Sequence, residues 1–160
     1  MSEKKSNKSH QTLWSSGGSM VFRKKIWDEL GGFDQLFNPF YEEDVDLGYR
    51  ATKRGYINIF EPESKVEHYK ETGVIAQNYS KSEVAKTAQR NQLLLIWKNI
   101  TDLEMIREHQ MALVKMLLTH PKYWEVYLKA LQKKSAILEK RKIEQKFTKL
   151  TDKEILERYG

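Results

Sequence analysis

The sequence contains no cysteine, which excludes disulfide frameworks, thiol nucleophiles and cysteine-ligated zinc sites. It also lacks a long apolar run, since the longest, residues 93–97, is far shorter than the roughly 20 residues that span a bilayer. The first eleven residues are polar and lysine-rich without an apolar stretch, so they are not a secretory signal. We therefore expect residues 1–12 to be a disordered leader of a cytoplasmic protein.

Glycine is absent between Gly73 and Gly160, whereas seven glycines lie in the first 73 residues. This shift divides the chain into residues 13–82, where short apolar segments alternate with turns, and residues 83–160, where the pattern is helical. The fold class that follows is α/β with few strands, continued by a mostly α-helical C-terminal extension. A chain of 160 residues is long enough for one domain with a core, or for a small lobe with a helical appendage.

The net charge of +6 is concentrated in one part of the chain. Residues 129–149 hold eight lysines and arginines but only two glutamates, so the remainder is neutral overall. A basic helical stretch suggests an anionic surface, either acidic lipid headgroups or nucleic acid. A solvated helix face explains the same pattern. A role at the inner face of the plasma membrane is thus one of two open interpretations.

Local patterns in the first region predict short elements separated by turns. We expect a strand at 19–22, a helix at 23–30 closed by Gly31 and Gly32, a helix from Glu43 or Asp44 to Arg54, a strand at 56–60, a short strand carrying Val66 and His68, and a mobile loop at 70–82. Asp46 and Arg50 lie four residues apart on the second helix, which is the spacing of a surface ion pair.

The second region predicts a series of helices. We expect them at 83–99, at 103–118 with an apolar stripe, after Pro121, at 135–147 with a basic character, and at 153–159. The last helix follows Thr151 and Glu154, which have the spacing of a capping box.

The segment Phe40 to Arg50 mixes three aromatic residues with four acidic ones. That mixture is not typical of a solvated surface, because aromatic neighbours remove water from the carboxylates. Desolvation raises the pKa of a carboxylate and makes it a better base, so the segment suits proton abstraction.

Several motifs in order resemble the C-terminal half of a family 2 glycosyltransferase domain, close to the rhamnosyltransferase-like and galactofuranosyltransferase-like members. The motifs are Gly17-Gly18-Ser19-Met20-Val21-Phe22-Arg23, Leu30-Gly31-Gly32-Phe33-Asp34, Tyr41-Glu42-Glu43-Asp44-Val45-Asp46, Arg50, Gly55-Tyr56, His68 and Arg90-Asn91. The resemblance covers residues 15–158 and implies a partial GT-A (Rossmann-like) lobe.

The resemblance implies sugar transfer from a UDP- or dTDP-linked donor to a glycan or lipid-linked acceptor, with Mg²⁺ or Mn²⁺ in the complete enzyme. In such enzymes the first half binds the nucleotide through an Asp-x-Asp metal motif, and no Asp-x-Asp precedes Gly17. We therefore expect the nucleotide-binding half to be missing, the metal not to be retained, and the isolated chain to be inactive. A subunit completed by a separate chain is another possibility.

The resemblance implies the roles of Asp44 and His68, and the residues around them suggest further roles; most of these roles have a plainer alternative. Asp44 would be the base, or only a helix cap; His68 a metal ligand, or a strand-end histidine. Glu43 would be a second carboxylate or bind acceptor hydroxyls. Gly17 and Gly18 would let substrate approach the backbone, or form an ordinary turn. Trp14 and Tyr41 would face a sugar ring, or belong to the core. Arg90 would reach the diphosphate, or be a solvated helix arginine.

A different class of function is a non-catalytic basic helical module that binds nucleic acid or a protein partner. This reading explains residues 83–160 but gives no reason for the motifs between Gly17 and His68. We therefore favour sugar transfer, for which no nucleic acid partner is expected.

Overall fold

The computed structural model describes residues 8–67 and 73–159. Within them the elements are β1 (His10–Thr12), α1 (Lys24–Leu30), α2 (Glu43–Lys53), β2 (Asn58–Phe60), α3 (Val74–Asn78), α4 (Lys81–Asn99), α5 (Leu103–Thr119), α6 (Tyr123–Leu131), α7 (Lys134–Gln145) and α8 (Asp152–Tyr159), with a 3-10 turn at Gln35–Phe37. Strands β1 and β2 pair antiparallel, with His10 opposite Phe60 and Thr12 opposite Asn58. The fold class is therefore confirmed: a small α/β lobe is followed by helices.

Elements with strong local signals lie where the sequence predicts them. Helix α1 ends at Gly31 and Gly32, whose φ angles of 74° and 65° are left-handed and suit glycine. Helix α2 ends before Gly55, which is also left-handed. Helix α8 begins with the expected capping box, in which the Glu154 amide donates to Thr151 Oγ1 and the Thr151 amide donates to the Glu154 carboxylate.

Four local predictions are wrong. Residues 10–12 of the expected leader pair with β2, so they are not disordered. Residues 19–22 and Val66 are outside any strand, because among the described residues no neighbouring strand pairs with them. The expected loop at 70–82 contains α3, and Ser80 with Glu83 forms a capping box that starts α4. Residues 1–7 and His68 lie outside the described residues.

Helix α4 organises the main core. Its Leu93 and Leu94 pack against Leu36 and Phe37 and against apolar residues of α6 and α7. A second cluster fills the space under α1 and α2, around Leu30, Leu47 and Ala51. Fully burying each large apolar side chain stabilises the fold by about 1.5–3 kcal/mol. The C-terminal helices are therefore packed onto the lobe rather than appended to it.

Buried ion pairs join α2 to these helices. Arg50 Nε lies 2.7 Å from Asp46 Oδ2, and Lys98 Nζ of α4 lies 2.8 Å from Asp46 Oδ1. The expected surface pair is thus a buried one: the Asp46 and Arg50 side chains are 0% and 3% exposed, because Lys98 and Asn99 cover them. At the far end of α2, Lys53 Nζ lies 2.9 Å from Asp152 Oδ1.

Two residues of the basic stretch at 129–149 also make contacts within the protein. Lys140 lies 2.9 Å from Asp34, and Arg141 Nη1 donates to the Trp97 carbonyl over 2.7 Å. Together with the contacts to α2, the Lys140–Asp34 pair crosses the predicted boundary between residues 82 and 83, whereas Arg141 and Trp97 both lie after it. That division into two regions stays a prediction, and the structure shows the two regions in close contact.

Candidate active site

The first turn of α2 presents three consecutive acids, Glu42, Glu43 and Asp44. The Asp44 carboxylate is half-buried, and its Oδ2 accepts a hydrogen bond of 2.9 Å from the Gly17 amide. Its Oδ1 accepts another, of 2.8 Å, from the Val45 amide. A helix N-terminus favours a negative charge at this position. Two predicted site residues, 27 positions apart, are thus in direct contact, and the carboxylate is held in one orientation.

Gly17 and Gly18 lie in a turn at residues 17–19, in which the Ser19 amide donates to the Ser16 carbonyl over 3.0 Å. A Cβ added at Gly17 would lie 3.7 Å from Asp44 Oδ2 and 3.7 Å from the Phe33 ring, which is ordinary contact. Space at Gly17 is therefore limited but not closed. The expectation that these glycines let substrate approach stays a prediction.

The backbone leading into α2 has an unusual conformation. Tyr41 and Glu42 have φ angles of 71° and 73°, so two consecutive residues with side chains adopt the left-handed region. Each costs about 1–2 kcal/mol relative to a right-handed conformation. Such a conformation persists only where neighbouring groups enforce it, and it is concentrated at functional sites.

Asn91 of α4 is the group that enforces it. Its side chain is fully buried, and its Nδ2 donates to the carbonyls of Phe37, Phe40 and Tyr41 over 2.6, 2.8 and 2.9 Å. One amide therefore ties the whole segment before α2 to the central helix. Sequence reasoning gave Asn91 no role, although a polar amide within an otherwise apolar helix face was an available signal.

Arg90 supports the same segment. Its Nη2 donates to the Asn38 carbonyl over 2.6 Å, and its Nε donates to Asn91 Oδ1 over 3.1 Å. Burial lowers the pKa of the guanidinium. Arg90 is therefore not a solvated arginine, and its expected contact with a diphosphate stays a prediction.

Glu43 lines a cavity of about 260 Å³ together with residues that include Phe33, Phe37 and Phe40. Its Oε2 is buried and has no hydrogen-bond partner among the described residues. Burial raises the pKa of Glu43, and the neighbouring charge of Asp44 raises it further. Burial and the charges of Asp44 and Glu43 likewise raise the pKa of Glu42. A carboxylate with a raised pKa at a cavity suits proton transfer or hydrogen bonding to a hydroxyl group.

Tyr41 and Trp14, the aromatic residues predicted to face a sugar ring, lie near α2. Tyr41 is 41% exposed and meets Phe40 edge-on, with ring centroids 5.0 Å apart. Trp14 is 44% exposed, and its backbone packs on Gly48, one turn after Asp44. A Cβ at Gly48 would lie only 2.6 Å from Trp14 Cβ, so glycine is required for this contact. Both rings are accessible; their contact with a sugar stays a prediction.

The described part of the chain contains no group of side chains that could supply the ligands of the expected metal ion. Across residues 8–67 and 73–159, no three histidine or acidic side chains come together in a way that could hold a metal ion. His68, the predicted ligand, falls in the gap between those ranges. A divalent metal in the complete enzyme, and its absence from this chain alone, stay predictions.

Comparison with known proteins gives a family match and two similar proteins. The profile of the family described as "Glycosyl transferase family group 2" matches residues 2–129. Two proteins named N-acetylglucosaminyl-diphospho-decaprenol L-rhamnosyltransferase, from two strains of Mycobacterium tuberculosis, are 39% identical over 57 residues. That segment is 36% of this chain and 18% of each relative, so the chain matches less than a fifth of their length. No solved structure matches.

The family match and the site geometry point the same way. The profile covers the turn at Gly17, the acids of α2 and the Asn91 clamp within its 128 residues. Since the profile spans well over half of the sequence, the chain belongs to glycosyl transferase family group 2.

Proposed function

We propose that this chain supplies the acceptor side and the catalytic base of an inverting glycosyltransferase that uses a nucleotide-diphosphate sugar. The observation that carries the proposal is the Asp44 carboxylate, held by the Gly17 amide at the N-terminus of α2 and adjacent to Glu43 at a cavity. Membership of the glycosyltransferase family supports sugar transfer in general. The roles of individual residues are part of the proposal.

In the proposed step, the acceptor hydroxyl oxygen attacks the anomeric carbon of the donor sugar. Asp44 takes the hydroxyl proton as the new carbon–oxygen bond forms, which is general-base catalysis. The bond between the anomeric carbon and the diphosphate oxygen breaks, and its electron pair leaves with the nucleoside diphosphate. Because attack and departure occur on opposite faces, the anomeric configuration inverts.

Glu43 has a different part in this proposal. Its unpartnered Oε2 and its raised pKa suit a carboxyl group that hydrogen-bonds an acceptor hydroxyl inside the cavity. Tyr41 and Trp14 are both accessible for contact with a sugar. The strained backbone at Tyr41 and Glu42 sets the direction in which the Tyr41 side chain leaves the chain.

The donor, the acceptor and the metal are proposed more coarsely. The matched relatives, by name, transfer L-rhamnose to a diphospho-decaprenol-linked sugar, so we propose a UDP- or dTDP-linked donor and a glycan or lipid-linked acceptor. Mg²⁺ or Mn²⁺ in the complete enzyme would be held mainly by a nucleotide-binding half, with His68 contributing. Without that half, we propose that the chain does not catalyse transfer.

The decisive variant is Asp44→Asn, made in a polypeptide that joins this chain to a nucleotide-sugar-binding half. We expect kcat to fall by about 10²–10⁴-fold, because asparagine keeps the shape but cannot take a proton. The matched control is Asp28→Asn, which removes an exposed carboxylate paired with Lys24 in α1 and should leave kcat unchanged. Undiminished transfer by Asp44→Asn would exclude Asp44 as the base and favour the non-catalytic reading.

The incompetence of the isolated chain has its own test. Titration of UDP- and dTDP-sugars into the 160-residue chain, with and without Mn²⁺, should show no tight binding. Tight, metal-dependent binding would contradict the proposed need for a second half and would leave the role of Asp44 unaffected.

A further inference from the structure

Helix α5 carries apolar residues on two faces, of which only one meets the rest of the protein. The inner face is half-buried and includes Leu113, Leu117 and His109, which accepts a hydrogen bond from Trp97 Nε1 over 3.0 Å. The outer face includes Met111, Val114 and Leu118, which are 67%, 56% and 78% exposed. No residue of α5 is fully buried. The helix therefore leaves a large apolar stripe without a partner among the described residues.

The outer face continues into a groove. A cavity of about 570 Å³ lies between α5 and the α6–α7 pair. Gln110 and Val114 line both this cavity and a shallow depression on the outer face of α5. On the other wall of the groove, Leu131 and Leu138 are 38% and 47% exposed. We call this continuous surface the α5–α7 surface; it comprises Met111, Val114, Leu118, Leu131 and Leu138.

Every charged residue that lines the α5–α7 surface is basic. They are Arg107, Lys115, Lys134 and Arg141. Arg141 donates to the Trp97 carbonyl, whereas the other three have no ion-pair partner in the described part of the chain. The surface thus combines an apolar floor with a cationic rim; no acidic residue lines the two cavities, and the nearest acid along α5 is the exposed Glu108, three positions before Met111.

This charge pattern selects among possible occupants. A second copy of the chain, related by a twofold axis, would bring the same cations against each other, which is unfavourable. An uncharged apolar partner would remove water from the side chains of Arg107 and Lys115 without offering them other hydrogen-bond acceptors. An anionic bilayer satisfies both features, because acyl chains receive the apolar side chains while long lysine and arginine side chains reach the phosphates.

We propose that the α5–α7 surface docks the protein on an anionic lipid bilayer. In residues 8–67 and 73–159, no helix has the length and hydropathy of a membrane-spanning segment. This inference differs from the expectation based on the basic stretch at 129–149, since Arg107 and Lys115 of the rim lie on α5, before that stretch, and Lys140 of the stretch pairs with Asp34 instead. It does not depend on the sugar-transfer proposal.

The test is co-sedimentation of the chain with vesicles of phosphatidylcholine alone or with 30% phosphatidylglycerol. We expect binding only to the anionic vesicles, and weaker binding as salt is raised. Met111→Glu with Leu118→Glu should abolish binding. Arg107→Gln with Lys115→Gln should weaken the partition coefficient by about 30-fold, since each basic residue near such a surface contributes about fivefold.

Matched controls separate the surface from general effects. Leu138→Glu should weaken binding, whereas Leu156→Glu in α8, at the same 47% exposure, should not. Arg23→Gln with Lys25→Gln removes the same two charges from the α1 region and should bind nearly as the wild type does. Thermal melts check that each variant is folded, and Asp44→Asn should bind vesicles normally whatever its effect on transfer.

Three results would overturn the proposal. The first is no preference for anionic over neutral vesicles, which would leave an acidic protein partner as the better occupant. The second is unchanged binding by the folded Met111→Glu, Leu118→Glu variant. The third is a dimer in sedimentation analysis that depends on the same two residues while vesicle binding is absent.

Discussion

The side-chain amide of Asn91 donates to the backbone carbonyl of Tyr41 over 2.9 Å, across 50 positions of sequence. The same nitrogen reaches the carbonyls of Phe37 and Phe40, so one buried side chain fixes the entry to α2. We predict that Asn91→Ala lowers the free energy of unfolding by about 3 kcal/mol, because it leaves buried carbonyls without donors. Urea denaturation measures this loss.

The Asn91 prediction has a second readout and a control. Hydrogen exchange of the Asp46 amide, which donates to the Glu42 carbonyl in the first turn of α2, should quicken in Asn91→Ala. Asn78→Ala removes an exposed side chain that donates to the Val74 carbonyl, and it should change stability by about 0.5 kcal/mol or less. Equal stability losses in the two variants would mean that Asn91 does not clamp the segment.

The left-handed conformation of Glu42 predicts a gain in stability on substitution by glycine. Glycine adopts a φ of 73° without the steric cost of a Cβ. We expect Glu42→Gly to be more stable than Glu42→Ala by about 1 kcal/mol in thermal or urea unfolding. Both variants remove the same carboxylate, so the difference between them isolates the backbone. If Glu42→Ala were the more stable of the two, the strain assigned to this residue would be wrong.

Asp152 predicts a specific loss of stability in acid. Its burial opposes ionisation, but hydrogen bonds from Tyr49, Lys53 and Thr101 outweigh burial and lower its pKa from 3.8 to about 2. A pKa that is lower in the folded state stabilises the protein above the unfolded value. This stabilisation, about 2 kcal/mol, should disappear as the pH falls from about 4 to 2.

Unfolding of Asp152→Asn as a function of pH checks this. The variant should be less stable at pH 7 and should lose less stability than the wild type between pH 4 and 2. Glu157→Gln, an exposed change on the same helix, should follow the wild-type curve. An Asp152→Asn curve parallel to that of the wild type would remove Asp152 as a cause of acid sensitivity.

Lys98 is predicted to be essential for stability because two carboxylates depend on it. Its ammonium group lies 2.7 Å from Asp34 and 2.8 Å from Asp46, and its side chain is 1% exposed. Lys98→Met leaves buried acids with less compensation and should cost about 3–5 kcal/mol in urea unfolding. Lys86→Met breaks the exposed pair with Glu125 and should change stability little. Comparable effects of the two changes would contradict the importance of the buried cluster.

The sequence was sufficient for elements whose signals are local. The end of α1 follows from Gly31 and Gly32, and the start of α8 follows from Thr151 and Glu154, since each signal lies within a few residues of the element it defines. Strand β1 could not be predicted in this way. It has three residues and exists because it pairs with β2, whose Phe60 lies opposite His10.

In the candidate site, too, some features could be predicted from the sequence, and those that depend on distant residues could not. The resemblance placed Gly17 and Asp44 in one site, and the structure brings their atoms within 2.9 Å. The burial of Asp46 and Arg50 was missed because Lys98 and Asn99, which cover them, lie about 50 positions later. The left-handed backbone at Tyr41 was missed because local propensity opposes it, and the hydrogen bond that holds it comes from Asn91, 50 positions later.

Helix α2 is fixed at one end and open at the other. Residues 46–53 are all buried, and Arg50 also donates to the carbonyls of Leu30 and Gly32, whereas residues 43–45 are partly accessible. The buried turns fix the direction of the helix axis. The N-terminal end of α2 therefore keeps its position and orientation when the side chains at positions 43–45 change. Under the proposed function, we expect changes of acceptor preference to arise at positions 43 and 45, while Asp44 and the embedded turns stay the same.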